Sequence, residues 1–592
     1  MKGFLTYNMA CLMQLPWMAI LATGFVLWMA VCPVETRWAK SDVTLAWGIV
    51  ILVSLAVVIQ LSACLKREYR KGIVRWNLLD ALVLLWFLYY LMRSWMDGEF
   101  ACATAFLKTV EMALMYFALR GIFATGKLPQ EGIMCGLLAC GVYESVIGVG
   151  QILNGTSRHY LYMVTGSFQN PGPYSALLAM GSAIGLAWMK KKEPGWSRYG
   201  IALATVLMLL ILPATWSRAA FVALVTVVLW IFKADYWKWR WMVWLGCILA
   251  CIALYYIKQG SADGRMMIWT AAITTWLHCP WTGVGIGGFE NACANGVAEL
   301  YGQKPHNALF INGDVAEFAF NDLLKVLVEQ GAAGALLCIG TMGYTLHLLR
   351  KESGPLFCGM LSLLIFSLFS YPFELIPYRI ISVVVAAWAA SEHGRRKGSK
   401  SSWKSGMIPL LLLAPACLTA KEVGKRYSAD REYLTFAGME YESFIKDYYA
   451  LLPMKRDDAR FLFDFGKTLR AHGRYNDSNG MLWLGTRVSA DPMFYVVMGN
   501  NYCDMGHTDL AEEAYRKAFA VMPNRIYPLY LLMKMHRKEG NEGKAWEYAE
   551  RMRDFREKVV SPATRQMKQE AEELLKKTEG DRQEMHFMED ER

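Results

Sequence analysis

The chain has 592 residues, of which 55% are hydrophobic and 19% are charged, with a formal net charge of +11. These averages hide two unlike parts. Residues 1–420 are apolar runs with short basic or Gly/Pro-containing links, whereas residues 421–592 are charged and favour helices. Composition therefore excludes a single soluble domain. The sequence predicts an all-α protein, in which a polytopic membrane helical bundle precedes a C-terminal α-solenoid domain.

About thirteen apolar runs are long enough, or nearly long enough, to be transmembrane helices. A span takes about 20 apolar residues, because every backbone polar group must be hydrogen-bonded inside the segment. The first run is too long and too poorly flanked for a cleaved signal peptide, so we expect it to remain as a helix. The predicted spans lie at roughly 9–33, 43–65, 76–93, 100–123, 133–153, 172–190, 199–214, 219–233, 241–258, 323–349, 356–371, 377–392 and 406–421.

Basic residues follow the even-numbered predicted spans. By the positive-inside rule, the side that carries them is cytoplasmic, so the loops 154–171 and 259–320 and the C-terminal domain face outward. The same pattern accounts for the positive net charge, and nucleic-acid binding is therefore not predicted. The basic clusters are 66–75, 190–192, 233–240, 350–351 and 395–404.

Three outward-facing features are candidate anion contacts. Residues 166–173 form a Gly/Pro-rich turn that opens the sixth span, and the free N–H groups of a helix N-terminus suit an anion. An ordinary helix-starting turn is the alternative. Arg218 lies outside the eighth span, against the positive-inside rule, and its guanidinium has the bidentate geometry that fits phosphate. A snorkelling arginine would also fit. Arg379 follows a two-proline break after the eleventh span and could contact a phosphate or a sugar.

The segment 259–320 is the long polar interval of the hydrophobic half, and loops of this length are usually functional. It places Arg265 just before an amphipathic run, 266–273, that could lie along the membrane surface. Residues 283–289 are glycine-rich but follow no predicted strand. We therefore expect a flexible turn there rather than a dinucleotide-binding site.

The cysteines and histidines form no metal-binding motif. The chain has 14 cysteines without a CxxC pair, and neither HExxH nor a His/Cys cluster occurs, so we predict no metal site and no cofactor. Cys279 and Cys293 share the outer loop and could form a disulfide, a pairing that sequence does not decide.

The C-terminal part contains internal repeats. Glycines 473, 506 and 540 recur about every 33–34 residues, a period typical of tetratricopeptide repeats. The clearest unit, 492–524, has small, aromatic and terminating residues where such a repeat needs them. About three helix pairs would stack over residues 430–580 into a solenoid whose concave face could bind a protein partner. Residues 581–592 are expected to be disordered.

Five short motifs occur in order within residues 130–390. They are Gly166-x-Phe168-x-Asn170-Pro171, Ser217-Arg218-Ala219-Ala220, Asp263-Gly264-Arg265-x-x-x-Trp269, Pro280-x-x-Gly283-x-Gly285-x-Gly287-x-Phe289, and Asn321-Asp322 followed by Glu329-x-Gly331-x-x-Gly334. In order, spacing and topology, the set resembles the O-antigen ligase and O-antigen polymerase family, which also includes protein O-oligosaccharyltransferases. No single motif is specific.

The resemblance implies a membrane glycosyltransferase of cell-surface polysaccharide biosynthesis that takes its glycan from a polyprenyl diphosphate carrier, here undecaprenyl diphosphate. It implies metal-independent activity at the outer, periplasmic face of the bacterial inner membrane. The family's two functional arginines match Arg218 and Arg265, which would bind the diphosphate and stabilise it as it leaves. Asn170, Ser217 and Asn321 lie in matching motifs and are further candidates for substrate contacts.

One position departs from the family pattern. The family has a histidine before the asparagine, where this chain has Phe320 before Asn321. A His-Asn pair lies upstream, and its His306 could supply the imidazole from another place. His306 is therefore the first candidate for a general base, and Glu317 is the second. The acceptor could be a glycan, a lipid or a protein, so ligation, polymerisation and protein O-glycosylation stay open.

Two functions of other classes fit the sequence less well than an enzyme. A transporter of lipid-linked glycans would be expected to show inverted repeats with interrupted helices in both halves, and the sequence shows none. A pure assembly scaffold would need neither so many spans nor outward-facing arginines. An enzyme of the ligase or polymerase type is therefore the preferred hypothesis.

Overall fold

The computed structural model describes residues 17–31, 41–65, 75–98, 102–125, 129–257, 259–305, 308–313, 316–396, 408–558 and 560–590. Every regular element within these ranges is a helix, which confirms the predicted all-α class. The chain forms two compact units. The first comprises Met1–Leu254 with Phe320–Tyr427, and the second comprises Tyr255–Ala319 with Ser428–Arg592.

The α-helices are numbered in chain order. They are α1 (Trp17–Val31), α2 (Ser41–Leu65), α3 (Leu78–Asp97), α4 (Ala103–Thr125), α5 (Gln130–Asn154), α6 (Pro171–Lys191), α7 (Trp196–Ile211), α8 (Arg218–Ile231), α9 (Arg240–Ile257), α10 (Gln259–His278), α11 (Phe289–Gln303), α12 (Asp322–Glu352), α13 (Gly354–Ser367), α14 (Ile376–Arg396), α15 (Ile408–Phe436), α16 (Ile445–Lys455), α17 (Ala459–Ala471), α18 (Tyr475–Thr486), α19 (Met493–Asp504), α20 (Thr508–Val521), α21 (Tyr527–Lys538), α22 (Glu542–Arg553) and α23 (Pro562–Asp590).

Five of the described helical segments are long and apolar enough to cross a membrane. They belong to α2, α3, α5, α7 and α12, and shorter apolar helices include α8 and α13. A multi-pass membrane protein follows from these helices. The expected number of about thirteen spans stays a prediction.

Helix α6 lies at the centre of the first unit, where it packs against α7, α8 and α13. Its small residues let neighbouring helices approach closely, as is usual in membrane helix packing. A Cβ on Gly185 would lie 2.0 Å from Thr205 Oγ1, and one on Gly359 of α13 would lie 2.5 Å from Ile184 Cγ1. Most of α6 is therefore buried.

The C-terminal ends of α6, α8 and α12 meet at one end of the first unit. Lys190 Nζ donates to Ile231 O over 2.9 Å, and the Arg350 guanidinium lies 5.4 Å from the Trp230 ring centroid. We call this the basic end. The N-termini of the same helices must then lie at the opposite end, as the charge pattern predicts. The expected basic residues at 66–74 and 397–404 lie outside the described ranges.

The second unit contains a row of helix pairs. The pairs α17/α18, α19/α20 and α21/α22 pack within themselves and against their neighbours. In each pair the connecting turn contains a glycine with positive φ: 71° at Gly473, 78° at Gly506 and 75° at Gly540. These turns explain the glycine period, because a left-handed backbone strongly favours glycine. The last helix, α23, extends into the tail that was expected to be disordered.

The outer loop belongs to the same compact unit as the C-terminal helices. Its helices α10 and α11 pack on each other, and α11 packs on α20. From its position within the hydrophobic half, this loop is expected to belong to the membrane domain, and the structure groups it differently. The reason is that the apolar side of α11 is covered by C-terminal residues, in a cluster of Ala294, Ala490 and Val521.

Candidate functional site

The turn before α6 is held by two polar side chains of α5. Gln151 Oε1 accepts hydrogen bonds from Thr165 N over 2.9 Å and from Gly166 N over 2.8 Å. Glu144 accepts another from Ser167 N over 2.9 Å. At Gly166 the φ is 59°, and a Cβ there would lie 2.3 Å from Tyr174 Cδ2. The glycine of this motif is therefore required by the backbone.

Asn170 caps α6. Its Oδ1 accepts from Gly172 N over 2.8 Å, and Pro171 occupies the first helical position, where its missing N–H costs nothing. The Tyr378 hydroxyl donates to Pro173 O, and the Tyr378 ring stacks on Phe168 at 6.1 Å. Asn170, a predicted substrate contact, thus shapes the start of the helix through its side-chain oxygen.

Asn321 plays the same part for α12. Its Oδ1 accepts from Leu324 N over 3.0 Å, and the neighbouring Asp322 Oδ2 accepts from Phe373 N over 3.1 Å. Phe320, which stands where the family has histidine, has a φ of 50°. Its ring packs edge-on against Tyr371 at 5.4 Å. A bulky residue in this conformation costs on the order of 1–3 kcal/mol and points to a functional constraint.

The Gly331 motif breaks α12. Gly331 has φ 65° and ψ −171°, which no helical residue adopts. Two residues of α3 hold the break: Tyr89 donates to Gln330 O over 2.5 Å, and Trp86 Nε1 donates to Gln330 Oε1 over 3.0 Å. The glycine in this motif is thus a backbone requirement, and the motif fixes the direction in which the N-terminal part of α12 leaves the bundle.

A cluster of charges lies beside this helix start. Lys325 Nζ is 2.8 Å from Glu374 Oε1, and Arg379 is 3.8 Å from the other oxygen of Glu374. Burial alone would raise the pKa of Glu374, but Lys325 and Arg379 lower it further than burial raises it, and the result lies below the usual glutamate pKa. Arg379, a predicted phosphate or sugar contact, also donates through Nε to Phe373 O.

Sequence reasoning missed Lys325 and Glu374. A signal was present, because Lys325 is a cation at the predicted outer end of an apolar helix, as Arg218 is. Glu374 lies in the two-proline break, but nothing in the sequence shows that the break packs against α12. That pairing requires the tertiary structure.

Arg218 is the first residue of α8. The chain enters this helix through the 3-10 turn Leu212–Thr215 and through Trp216, whose φ is 49°. Ser217 N donates to Thr215 Oγ1 over 3.3 Å, so its amide is held by the turn. Arg218 is half-buried. The motifs that begin α8 and α12 therefore each follow a non-glycine residue with positive φ, Trp216 and Phe320. Strained backbone of this kind tends to occur at functional sites.

The structure brings five predicted residues to one end of the first unit. Each lies at or beside the N-terminus of α6, α8, α12 or α14, opposite the basic end. Those residues are Asn170, Ser217, Arg218, Asn321 and Arg379. The N-termini of four helices, each the positive end of its helix dipole, favour an anion at this end.

Arg265 lies in the second unit, in the second turn of α10. Trp269 is four residues further on and shares its helix face, and Trp269 Nε1 donates to Ala319 O over 2.9 Å. A Cβ on Gly264 would lie 2.9 Å from Asn312 O, so the loop returns close to α10 there as well. Arg265 is half-buried and lies in sequence between Gly264 and Trp269, the two residues at which the loop returns to α10.

The two base candidates differ in what the structure shows. His306 lies outside the described residues. Glu317 is exposed and stands two residues before Ala319, whose carbonyl is hydrogen-bonded to α10. Glu317, the second candidate for a base, therefore lies two residues from a contact with the helix that carries Arg265. Within the described part of the chain, no three His, Cys, Asp or Glu residues are placed to hold a metal ion.

The structure describes three features expected in the outer loop. Cys279 and Cys293 do not form a disulfide: Cys279 is exposed, while Cys293 is buried in α11 and its Sγ is 3.9 Å from Ile268 O. The run 266–273 is helical, with part of its apolar side buried and with Met266 and Ile273 exposed, so its placement along a membrane surface stays a prediction. The glycine-rich turn is confirmed, with φ of 71°, 112° and 76° at glycines 283, 285 and 287.

Comparison with protein families assigns part of the chain. Residues 203–339 match the family model described as O-antigen ligase. This match covers less than half of the chain and supports a similarity to the O-antigen ligase family. The matched segment contains Arg218, Arg265 and Asn321, and it continues from α7 into α12. No curated protein is similar enough to this chain to count as a match. The resemblance drawn from the ordered motifs is confirmed, and the O-antigen ligase family indicates a glycosyl-transferring enzyme that uses a lipid-linked glycan and an acceptor.

Proposed function

We propose that this chain transfers or polymerises a glycan from an undecaprenyl-diphosphate-linked donor during cell-surface polysaccharide biosynthesis. The observation that carries the proposal is the O-antigen ligase match over residues 203–339, which includes both Arg218 and Arg265. The acceptor hydroxyl attacks the anomeric carbon of the first sugar, the bond from that carbon to the diphosphate oxygen breaks, and the diphosphate leaves with the electron pair. A general base takes the acceptor proton.

The roles of the residues follow from their chemistry. Arg218 and Arg265 each offer a planar, permanently charged donor set that fits phosphate oxygens, and preplaced cations stabilise the charge that develops as the diphosphate leaves. Lys325 and Arg379 add positive charge at the helix-start end of the first unit, partly balanced by Glu374. His306 or Glu317 is proposed as the base. No metal enters this scheme.

We place the reaction at the periplasmic face of the inner membrane. The gathering of Lys190 and Arg350 at one end of the first unit supports a cytoplasmic side there, because basic residues favour that side. The packing of the outer loop on the C-terminal helices supports one common side for both segments. We further propose that residues 430–580 are tetratricopeptide-like repeats, supported by the three stacked helix pairs.

Transfer to a protein hydroxyl is a second candidate. It is favoured by the helix pairs of the second unit, because arrays of this kind often present a surface to peptides. The two candidates share the donor and the arginines, and they differ in the acceptor alone. Supplying membranes with a labelled lipid-linked donor and finding the label on polysaccharide, on lipid A-type acceptors or on protein would separate them.

The arginines provide the test of the common mechanism. Arg→Ala at 218 or 265 should lower transfer of labelled glycan on the order of a hundredfold to a thousandfold, since losing a preplaced donor costs about 3–4 kcal/mol of barrier. Arg→Lys should lower transfer less, because the charge stays while the bidentate fork is lost. Arg426→Ala is the matched control, since Arg426 lies in α15 near the C-terminal end of the first unit in sequence. Full transfer by both alanine variants at equal protein level would refute the proposed function.

A further inference from the structure

We propose that Asn524 is a positioning residue for Arg265, acting from the C-terminal helices through the outer loop. The inference rests on the proposed function of Arg265 and concerns how that arginine is held. Asn524 lies in the turn between α20 and α21, more than 250 residues after Arg265 in the sequence, yet both belong to the same compact unit.

Asn524 makes two hydrogen bonds to the backbone of the outer loop. Its Nδ2 donates to Gly313 O over 2.7 Å and to Ile311 O over 3.2 Å. The side chain is 6% exposed, and its bond to Gly313 O is buried. A second donor of the C-terminal region, Lys558 Nζ, lies 3.1 Å from Gly313 O. Asn524 and Lys558 together therefore hold a segment of three loop residues, 311–313, through four hydrogen bonds.

The same three residues lie against the start of α10. Asn312 Nδ2 donates to Asp263 Oδ2 over 3.4 Å, and a Cβ added to Gly264 would lie 2.9 Å from Asn312 O. A Cβ added to Gly313 would meet Met267 Cε at 2.8 Å. Residues 311–313 thus touch the helix on both sides of Arg265, at Asp263 and Gly264 before it and at Met267 after it.

The path from Asn524 to Arg265 is short and direct. Asn524 holds the carbonyls of residues 311 and 313, the carbonyl of the residue between them lies close to Gly264, and Gly264 is bonded to Arg265. Hydrogen bonds to a carbonyl are directional, so an asparagine at this place sets the position of the loop segment more precisely than apolar packing would. An arginine that must meet a diphosphate needs this precision, because a misplacement of about 1 Å can cost about a hundredfold in rate.

The other contacts between the loop and the C-terminal helices explain why the arrangement is stable. Tyr301 of α11 packs edge-on against Phe519 at 5.4 Å, and Lys517 Nζ donates to Asn295 Oδ1 over 3.0 Å. These contacts lie on α11, away from the Arg265 segment. They keep the loop docked when Asn524 is changed, so a substitution at 524 should act locally.

The first measurement is amide hydrogen exchange of the full-length protein in membranes or detergent. Asn524→Ala should raise exchange about tenfold at residues 311–313 and at 263–267, as expected for the loss of buried hydrogen bonds. Asn541→Ala is the matched control, since Asn541 occupies the next inter-helix turn and caps α22 by accepting from Lys544 N over 3.2 Å. It should raise exchange at the start of α22 and leave 311–313 and 263–267 unchanged.

The second measurement is a double-mutant cycle in the glycan-transfer assay. Asn524→Ala should lower the transfer rate about tenfold or more with Arg265 present, and should have no further effect in the Arg265→Ala background. Asn541→Ala should leave the rate unchanged in both. An equal loss from Asn524→Ala in both backgrounds, or unchanged exchange at 263–267, would overturn the inference. If the chain showed no glycan transfer at all, the proposed function would fail, while the exchange result would still decide whether Asn524 holds this segment.

Discussion

The buried pair Arg120–Asp80 gives the sharpest stability prediction, since both side chains are 2% exposed. Arg120 Nε and one of its terminal nitrogens donate to the two Asp80 oxygens over 2.7 and 2.8 Å. Its other bonds go to Ser391 Oγ over 2.7 Å and to Arg75 O over 2.8 Å. The Arg120 side chain therefore links its own helix, α4, to α3, to α14 and to Arg75 in the segment before α3.

Replacing Arg120 by alanine leaves Asp80 buried without its cation. Breaking such a pair costs about 3–5 kcal/mol, a large part of a typical folding free energy of about 5–15 kcal/mol. Replacing both members, as Arg120→Met with Asp80→Leu, should recover at least about half of that loss, because a buried pair exchanged for apolar residues is often nearly neutral. Part of the loss will remain, since Asp80 Oδ2 also accepts from Asn77 N.

Chemical unfolding in detergent, followed by tryptophan fluorescence, measures these differences. Lys425→Ala is the control: its partner is Glu422 at 3.2 Å, with 52% and 35% of the two side chains exposed, so its removal should cost less than about 1 kcal/mol. An Arg120→Ala protein as stable as Lys425→Ala would refute the reasoning. So would a double variant that is less stable than Arg120→Ala alone.

The remaining predictions concern backbone strain and acid sensitivity. Phe320→His should change the free energy of unfolding by less than about 1 kcal/mol, whereas Phe320→Val should cost about 2 kcal/mol or more, because histidine tolerates positive φ and β-branched residues do not. Equal melting temperatures of these two variants would show that the fold does not require a positive φ at residue 320. Burial raises the pKa of Glu512 but Lys544, Arg516 and His536 lower it more, so its stabilising effect is present above the usual glutamate pKa and is lost as pH falls through the depressed value. Acid unfolding of the C-terminal helices, followed by circular dichroism, should therefore become less steep in Glu512→Gln; an unchanged slope would exclude this role.

Several parts of the architecture could be predicted from the sequence for a physical reason. Helical class follows from apolar runs of membrane length, and the turn glycines 473, 506 and 540 mark backbone positions that disfavour other residues. The motifs at Gly166, Gly264 and Gly331 are likewise explained by positive φ or close approach. Such local requirements leave a mark in the sequence because they restrict residue type at a single position.

Other features depend on pairings between distant segments, and these leave no local mark. Nothing near Glu374 indicates that it will meet Lys325, and nothing near Asn524 indicates that it will hold residue 313. The outer loop is expected to belong to the membrane domain because it lies between two apolar runs. In the structure it groups with the C-terminal helices, because residues more than a hundred positions later in the chain pack on it.

The distance in sequence between the outer loop and the helices that cover it affects the order of folding during synthesis. Residues 255–319 are made before the membrane helices of 320–427, and the helices that cover them come last. A nascent or truncated chain that ends near residue 427 would therefore expose Ala294 of α11, which Ala490 and Val521 help to bury in the complete protein. Contacts this distant form late and leave apolar surface exposed in the meantime. The outer loop should accordingly reach its final packing only once the C-terminal helices have been made.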